Sequence, residues 1–472
     1  MKRTPLILLL AFLDCSAALA ADPGEVWQAG PHLLLARSLV AEATNLLRSV
    51  QPPSRLPDPI ITGVEDGNFQ PYVTVVQDPL TRRFRIWYNT PHTPGKDSGS
   101  SLAYMESNDG IHWLRPHRVL LGPGPIAFGS SVIDEGPAFQ PASQRFKLAW
   151  WYGGGLRVAT SPDGFDWMPL AKDVVLPSNH DIVSLHWDSI RQRYLAALSF
   201  VPKAGLFQGR RIPHQSGSTN LMHWNPPWII VTPDPTAVIE RGQTEFYGLS
   251  AILARGDLLV AVVKVLRDDL NCEPGRTAKE LHDASRPFAG IGYSVLAWSR
   301  DGEHWDRETE PFLDRNPQSG IWDRAMTWID DQIIVGDFTY FYYGGYRWGH
   351  KADRFTERQI GFAQAPRDRY VGYRAHQSAG RLRTHPARLL DAVQMTVNAD
   401  LGREGGELRV RILDKEARVV PGFDWEDCRI VRGNRVNHPV AWKGQNSSLR
   451  GRTVQFEFRL RQGSLYSFDI NP

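Results

Sequence analysis

A seven-residue frame, Ser-x-Asp-Gly-x-x-Trp, recurs along the chain and constrains its fold more than any other feature. Three intact copies begin at Ser107, Ser161 and Ser299, and a degenerate copy at Ser218 has Asn in place of Asp and Leu in place of Gly. An Asp-Gly pair between two apolar runs is typical of a tight β-hairpin, because glycine accepts a positive φ that a Cβ atom resists. The closing Trp is expected to pack against neighbouring strands. The frame is therefore predicted to have a structural role.

The spacing of the copies predicts a repeat architecture. A hairpin that returns about every 50 to 80 residues is typical of a β-propeller with one copy in each blade. The runs that open the successive repeats begin near Glu65, Val132, Asn179, Thr244 and Gly320. A fifth closing hairpin is recognisable only by its position at 364–370, and a polar insertion at about 267–287 is a candidate rim loop of an active site.

The fold is predicted to be all-β, a five-bladed β-propeller followed by a small C-terminal β-sandwich. Residues 59–379 are assigned to the propeller. Residues 380–472 are assigned to the β-sandwich, because Leu408–Leu413 and Val454–Leu460 alternate with period two between turn clusters. Residues 21–58 form a lead-in segment that is expected to pack under the first blade.

The N-terminus has the features of a cleavable secretory leader. Lys2-Arg3 precedes an apolar run, Leu6–Leu13, and Ala18–Ala20 has the A-x-A pattern of a cleavage site. The apolar run is too short to span a bilayer. Residues 1–20 are therefore predicted to be a signal peptide cut after Ala20, and the mature protein to be secreted or periplasmic.

Charge and cysteine content argue against several classes of partner. With 54 Lys and Arg against 51 Asp and Glu, the formal net charge is +3, and no basic run predicts nucleic-acid binding. Outside the leader no stretch approaches the roughly 18 apolar residues of a membrane span, so no membrane contact is predicted. Cys272 and Cys428 fall in different predicted domains and make no metal site, so no metal and no cofactor are predicted. The oligomeric state is not predicted.

Each predicted blade opening carries an acidic residue. From the first blade to the fifth they are Glu65 or Asp66, Asp134 or Glu135, Asp181, Glu245 and Asp323. Because the first strand of each blade lines the central channel, these carboxylates are expected to meet in one pocket. Carboxylates that lie close together raise each other's pKa, which gives one protonated acid beside one ionised base. Glycoside hydrolysis needs such a pair, and a carbohydrate substrate is therefore predicted.

The acids are divided between catalysis and substrate binding, although the choice within each adjacent pair stays open. The catalytic set is Asp66, Glu135, Asp181, Glu245 and Asp323, and Glu65 and Asp134 are assigned to substrate binding.

Five further residues near these acids are assigned to substrate binding. His180 is expected either to donate to a sugar hydroxyl or to set the protonation of the acid that follows it. Tyr247 and Trp322 lie beside the acids of the fourth and fifth blades, and Trp322 offers an aromatic platform. Arg347 and His350 follow an aromatic run and are expected to bind an anionic or hydroxyl-rich ring.

The acidic openings and the closing hairpins resemble those of the five-bladed propeller glycosidases, glycoside hydrolase families 32, 43 and 68 and their unassigned secreted bacterial relatives. The tail also resembles one found on predicted secreted bacterial proteins of that superfamily. Its matching segments are Gly405–Val410, Pro421–Phe423, Asp427-Cys428, Trp442–Gly444 and Leu465–Phe468. The resemblance covers nearly the whole mature chain.

The resemblance implies three acids from the first three blades. They fall at Glu65 or Asp66, at Asp134 or Glu135, and at Asp181, where the families typically have Glu. The chain lacks the Asn-Asp-Pro-Asn-Gly, Arg-Asp-Pro and Glu-Cys signatures of the sucrose-cleaving branch, which argues against an invertase or a fructanase.

The resulting hypothesis is a secreted glycosidase that acts on a plant, algal or microbial polysaccharide. A sialidase-like hydrolase is an alternative, but its hairpin has one more residue between Asp and Gly, and its three arginines and Tyr nucleophile have no counterparts assigned here. A non-catalytic, lectin-like propeller is another alternative. Acids within about 10 Å of one another in a pocket favour catalysis, and scattered acids favour the lectin. A metal-binding structural propeller is a weaker alternative, because no ligand spacing supports it.

Overall fold

The computed structural model describes residues 26–92, 99–353 and 358–471, and the predicted signal peptide lies outside these ranges. The prediction of an all-β fold is confirmed, since the described elements are strands and a few single-turn 3-10 helices. The helices are Arg37–Leu39, Ala142–Gln144, Val238–Glu240, Lys279–Leu281 and Asn446–Leu449. In the described part of the chain, no helix is long and apolar enough to cross a membrane.

The N-terminal segment consists of short strands. They are β1 (Val26–Trp27), β2 (Gly30–Leu33), β3 (Val40–Thr44), β4 (Leu47–Val50) and β5 (Ser54–Arg55).

Five four-stranded antiparallel units follow. The first contains β6 (Gln70–Gln77), β7 (Phe84–Pro91), β8 (Ser100–Ser107) and β9 (Arg118–Leu120), and the second β10 (Phe128–Asp134), β11 (Phe146–Trp151), β12 (Gly155–Ser161) and β13 (Met168–Pro169), with β14 (Leu176–Pro177) also paired to β12. The third contains β15 (Val183–Asp188), β16 (Arg193–Phe200), β17 (Ile212–Ser218) and β18 (Trp228–Ile229). The fourth contains β19 (Thr244–Arg255), β20 (Leu258–Arg267), β21 (Ile291–Ser299) and β22 (Asp306–Arg307). The fifth contains β23 (Met326–Val335), β24 (Phe338–Tyr346) and β25 (Arg358–Pro366), and its outermost strand is β5.

The first strands of these units contact one another in sequence around a ring. β6 contacts β10, β10 contacts β15, β15 contacts β19, and β19 contacts β23, which in turn contacts β6. The ring therefore closes on itself. The fifth unit takes its outermost strand, β5, from the segment that precedes the first unit in the sequence. The starts of the five inner strands consequently lie around a common axis.

The repeated frame forms the predicted turn at the outer edge of the units. In the second unit, Gly164 has φ +85° and its N–H donates to Ser161 Oγ at 2.9 Å. The N–H of Phe165 donates to Asp163 Oδ1 at 2.9 Å, and Trp167 is buried. The Ser and Asp side chains thus satisfy the backbone of the turn, as the sequence predicts.

The three intact frames also join their units to the preceding units. The glycine carbonyl accepts a hydrogen bond from a buried side chain of the preceding unit: from Trp87 to Gly164 at 2.9 Å, from Tyr342 to Gly110 at 3.1 Å and from Gln215 to Gly302 at 2.6 Å. A Cβ atom at Gly164 would lie 2.8 Å from the Trp87 ring. Glycine therefore serves both the positive φ and the close approach of the neighbouring unit.

The C-terminal strands form two further sheets. The strands are β26 (Val371–Ala375), β27 (Gly380–Thr384), β28 (Ala387–Leu389), β29 (Gln394–Leu401), β30 (Glu407–Asp414), β31 (Gly433–Val440), β32 (Thr453–Arg461) and β33 (Gly463–Asn471). One sheet has the order β1-β28-β32-β27-β3 with β30 on the other side of β32, and the second has β31-β29-β33-β26-β4 with β2 beside β33. Phe456 and Phe458 from the first sheet and Val397 and Phe468 from the second share one core.

The first four strands of the lead-in segment belong to these two sheets, whereas β5 pairs with the fifth unit, so the segment does not pack under the first unit as predicted. β1 pairs with β28, β2 with β33, β3 with β27 and β4 with β26. The C-terminal sheets also begin at β26, before the boundary predicted at residue 380. Both ends of the described chain therefore build one body, and the ring of units lies between them in sequence.

Candidate active site in the central cavity

A cavity of about 270 Å³ lies where the inner strands of the ring begin. Its lining residues are Gln70, Phe128, His180, Asp181, Arg211, Tyr247, Tyr346, His350, Lys351 and Arg358. Gln70 and Phe128 are the first residues of β6 and β10, and Asp181 comes two residues before β15. The volume is close to the lower end of the range for small-molecule sites, roughly 300–1,000 Å³.

A chain of polar contacts runs along one wall of the cavity. His180 Nδ1 lies 3.2 Å from Asp181 Oδ1. Arg211 Nε donates to His180 Nε2 at 3.0 Å, and Arg211 Nη1 donates to Glu245 Oε2 at 2.7 Å. The backbone N–H of Arg211 donates to the same Glu245 oxygen at 2.9 Å. The guanidinium thus connects the acid of the fourth unit to the histidine and acid of the third.

This chain determines the state of the His180 ring. Burial, with the charges of Arg211 and Lys351, lowers the pKa of His180 to about 3. The imidazole is therefore neutral near pH 7. Because Nε2 accepts the Arg211 N–H, the single ring proton resides on Nδ1, on the side of Asp181. His180 Nδ1 lies near Asp181 Oδ1 without hydrogen-bond geometry, and the neutral ring is not a general acid near neutral pH.

Stacked rings form a rigid wall beside this chain. Tyr247 stacks on Trp328 with ring centroids 4.4 Å apart, and the guanidinium of Arg211 lies 5.0 Å from the Tyr247 centroid. His350 meets the Tyr247 ring edge-on at 5.1 Å. Such packing restricts Arg211 to few conformations.

The predicted rim insertion reaches the cavity through His350. Asp268, at the start of the insertion, lies 3.8 Å from His350 Nδ1 and accepts a hydrogen bond from Arg286 at 2.8 Å. Burial alone would raise the pKa of Asp268, but its interactions with His350 and Arg286 lower it to about 2. Burial lowers the pKa of His350 to about 3 against the opposing effect of Asp268. The neutral imidazole of His350 therefore lines the cavity, and Asp268 of the insertion lies next to it.

A second polar cluster lies further along the ring axis. Lys264 pairs with Asp330, and Lys264 Nζ is 5.4 Å from the centroid of Tyr72. Burial raises the pKa of Tyr72 well above its usual value, and the nearby Tyr247 and Asp181 add to the effect. Burial and the charge of Lys264 lower the pKa of His186 to about 3.

Two acids of β23 bind the first unit without strand pairing. Asp330 Oδ2 accepts the N–H of Val73, and Asp331 Oδ2 accepts the N–H of Val75, both at 2.7 Å. Burial raises the pKa of Asp331 to about 8. These bonds help to close the ring between the fifth and first units, so both acids have a structural role there. Sequence reasoning missed both, although a consecutive acid pair within an otherwise apolar strand is a visible signal.

The structure brings two of the five predicted catalytic acids to the cavity region. Asp181 lines the cavity, and Glu245 touches it through Arg211. Asp323 lies elsewhere, buried between Arg55 at 2.9 Å and Tyr343 Oη at 3.1 Å.

The acids predicted for the first two units are also held away from the cavity. Asp66 is 1% exposed and accepts two hydrogen bonds from Arg115, each at 2.8 Å, while the exposed Glu65 lies 3.9 Å from the same guanidinium. Asp134 ends β10 instead of opening it and accepts two bonds from Arg145. Glu135 follows it, next to Tyr194 and Lys147. These acids stabilise turns and strand ends.

Three of the five other predicted contact residues line the cavity, namely His180, Tyr247 and His350. Trp322 is buried, donates to the carbonyl of Pro57 and stacks on Tyr343. Arg347 lies 5.8 Å from the ring of Trp348 and is not among the lining residues.

Arg211 is the most informative residue that sequence reasoning missed. It precedes β17 by one residue in a loop without a motif, so only the fold brings it to His180. Among the described residues, no group of three or more His, Cys, Asp or Glu side chains is arranged to hold a metal ion. Cys272 and Cys428 are both buried free thiols.

Neither a protein-family model nor a curated protein sequence matches the chain. Among solved structures, an N-acetylgalactosamine deacetylase from F. plautii in complex with blood group B trisaccharide is similar at 16% identity, covering 69% of this chain and 97% of that one, with a TM-score of 0.43. A β-1,2-mannobiose phosphorylase from Listeria innocua is 11% identical over 67% and 97%, with a TM-score of 0.45. A glycosyl hydrolase from Bacteroides ovatus is 14% identical over 68% and 95%, with a TM-score of 0.41.

Proposed function

We propose that the chain is an exported glycoside hydrolase, built as a five-bladed β-propeller with a C-terminal β-sandwich, and that the central cavity is its active site. The closed ring of five inner strands supports the propeller, and the core shared by two sheets supports the sandwich. The Ala18–Ala20 pattern supports export.

The placement of Asp181 carries the proposal. Its side chain is 28% exposed within the cavity lining, whereas Glu245 is 9% exposed and held by Arg211. Asp181 is therefore the lining carboxylate that a glycosidic oxygen or a water molecule can approach. We assign it the proton transfer that glycoside cleavage requires.

The neighbouring residues position this carboxylate. Arg211 fixes the tautomer of His180, whose Nδ1 lies 3.2 Å from Asp181 Oδ1 in a close polar contact without hydrogen-bond geometry. Glu245 Oε2 holds Arg211 in place by accepting hydrogen bonds from both the guanidinium and the backbone N–H of Arg211. His180, Arg211 and Glu245 are thus positioning residues that act on Asp181 in turn.

The experiment that tests the proposal measures reducing-sugar release by the chain without residues 1–20. The panel contains plant, algal and microbial polysaccharides together with aryl furanosides and pyranosides. Release from one substrate class is expected, and anomer analysis by NMR then separates inversion from retention. No release from any member, at a protein concentration where folding is verified by circular dichroism, would contradict hydrolysis.

Carbohydrate binding without catalysis is the second candidate function. The observation that favours it is the separation of Asp66, Glu135 and Asp323 from the cavity, where each lies among basic or hydroxyl partners. Calorimetric binding of one of the same glycans, without bond cleavage, would establish this function.

A further inference from the structure

The outer face of one C-terminal sheet carries a row of arginines. Strand pairing places Arg409 of β30 opposite Arg459 of β32, and Arg459 opposite Arg381 of β27. Residues directly opposite in an antiparallel pair lie on the same face, about 4.5–5.5 Å apart. The alternate residues Val410 and Phe458 are fully buried in the core, so the arginines face outward.

This row lacks the acids that usually balance such a pairing. Among the described residues, no carboxylate forms an ion pair with Arg381 or Arg459. Like charges placed directly opposite each other destabilise a sheet. An anionic ligand lying across both side chains would relieve that repulsion.

A groove of about 450 Å³ lies over this row. We use the term arginine groove for the surface formed by Arg381, Arg383, Arg459, Thr44 and Asn45, together with two glutamates. Its size is within the range of ligand sites, roughly 300–1,000 Å³. Thr44 and Asn45 supply hydroxyl and amide groups beside the guanidinium groups.

The two glutamates of the arginine groove are already engaged. Glu42 accepts a hydrogen bond from Arg383 at 2.7 Å. Glu457 pairs with Arg411 of β30, which lies beside the groove on the same face of the sheet. The positive charge of Arg381 and Arg459 is therefore left for a ligand.

An indole holds one side of the groove in place. The guanidinium groups of Arg411 and Arg459 lie 4.6 and 4.8 Å from the ring of Trp425, which is buried. Cation–π contact of this kind restricts Arg459 before any ligand arrives. Less conformational freedom is then lost on binding.

We propose that the arginine groove binds an acidic glycan, one that carries carboxylate or sulfate groups. A guanidinium presents two parallel N–H groups to a planar or tetrahedral oxyanion, which favours arginine over lysine at such sites. Thr44 and Asn45 are suited to the hydroxyl groups of the same chain. A nucleic acid fits less well, because the ring of Trp425 is covered by two guanidinium groups and is not presented for base stacking.

The site is independent of catalysis and can be tested on a protein with or without glycosidase activity. The chain without residues 1–20 is titrated at 0.1 M salt with polygalacturonate, with a sulfated galactan, with the neutral galactan and with duplex DNA. The two acidic glycans separate a carboxylate ligand from a sulfate ligand. Binding of at least one of them, and weaker binding of the neutral galactan and of DNA, is expected.

Variants locate the binding. Arg381→Gln is expected to weaken binding of the preferred glycan about tenfold or more, the scale of one charge-assisted hydrogen-bond pair. Arg381→Lys keeps the positive charge but loses the two parallel N–H groups of the guanidinium, so an intermediate loss of affinity is expected. The matched control is Arg241→Gln, which removes one exposed positive charge near the fourth unit and should leave affinity unchanged. Equal affinity in Arg381→Gln and the parent chain, or DNA binding as tight as that of either acidic glycan, would overturn the proposal.

Discussion

Acidification is expected to destabilise the fold through three histidines near the ring axis. The pKa values of His180, His186 and His350 are each lowered to about 3, mainly by burial, from an unfolded value of about 6.5. Between these values the unfolded chain binds more protons than the folded chain, so the free energy of unfolding falls as the pH falls. From pH 7 to pH 5 each histidine contributes a loss of about 2 kcal/mol, or about 6 kcal/mol for three.

Asp331 opposes this loss. Burial raises its pKa to about 8, so the folded chain retains a proton that the unfolded chain releases above pH 4. Its stabilising contribution is lost as the pH rises towards 8 and grows by about 2.6 kcal/mol between pH 7 and pH 5. For these four groups together, the expectation is a decrease of about 3 kcal/mol in the free energy of unfolding over that interval.

Urea unfolding followed by tryptophan fluorescence at pH 5, 6 and 7 measures this decrease. His186→Gln is the matched variant, because it removes one ring that takes up a proton between pH 7 and pH 5 only in the unfolded chain. In the folded chain the Nε2 atom of His186 has no hydrogen-bond partner, so no such bond is lost. The decrease in the free energy of unfolding between pH 7 and pH 5 should be smaller for this variant than for the parent chain by about 2 kcal/mol. The reasoning would be refuted if the parent chain were as stable at pH 5 as at pH 7, or more stable. It would also be refuted if the variant had the same pH dependence as the parent chain. Histidine NMR gives an independent readout, since three rings should not titrate between pH 5 and pH 7.

Two further predictions concern the ring of units. Gly164→Ala should lower the free energy of unfolding by about 2–4 kcal/mol, because it adds strain at φ +85° and a Cβ atom 2.8 Å from Trp87. Gly320→Ala, at φ +72° with nothing within 4 Å of its Cβ position, should cost only about 1 kcal/mol in the same urea titration, and equal losses would exclude the contact. Asp66→Asn should lower the melting temperature by weakening the ion pair of the buried Asp66 with the partly exposed Arg115, while turnover per folded molecule remains within about twofold. A large loss of turnover at unchanged stability would return Asp66 to the catalytic set.

The local elements that the sequence predicted well are those with short-range signals. The hairpin frame was identified because Ser161, Asp163 and Gly164 each satisfy a demand of the turn itself. Asp181 and His180 were placed correctly beside an inner strand because β15 begins where the apolar alternation begins.

The second unit shows where local signals mislead. The strong strand propensity of Val132-Ile133 predicts that the unit opens there, but β10 begins at Phe128 and continues through Gly129 and two serines. Small residues are tolerated there because the strand is packed on both sides by its neighbours in the ring. Asp134 and Glu135 were therefore assigned to the wrong end of the strand.

Long-range pairing explains most of the remaining differences. β3 pairs with β27, more than 300 residues away in the sequence, and no local pattern identifies such a partner. Arg211 and Lys264 depend in the same way on side chains from other units. A residue's chemistry can be recognised from the sequence, but its partner is set by the closure of the ring.

Turnover of Asp181→Asn tests the central claim most directly, using the substrate identified in the panel. Asp166→Asn is the charge-matched control, an exposed acid on the repeated frame. The account predicts that Asp181→Asn unfolds at the same urea concentration as the parent chain and has kcat at least about a hundredfold lower, the usual scale for losing an acid or base. Asp166→Asn should retain parental kcat. A folded Asp181→Asn protein with parental turnover would contradict the assignment of proton transfer to this cavity.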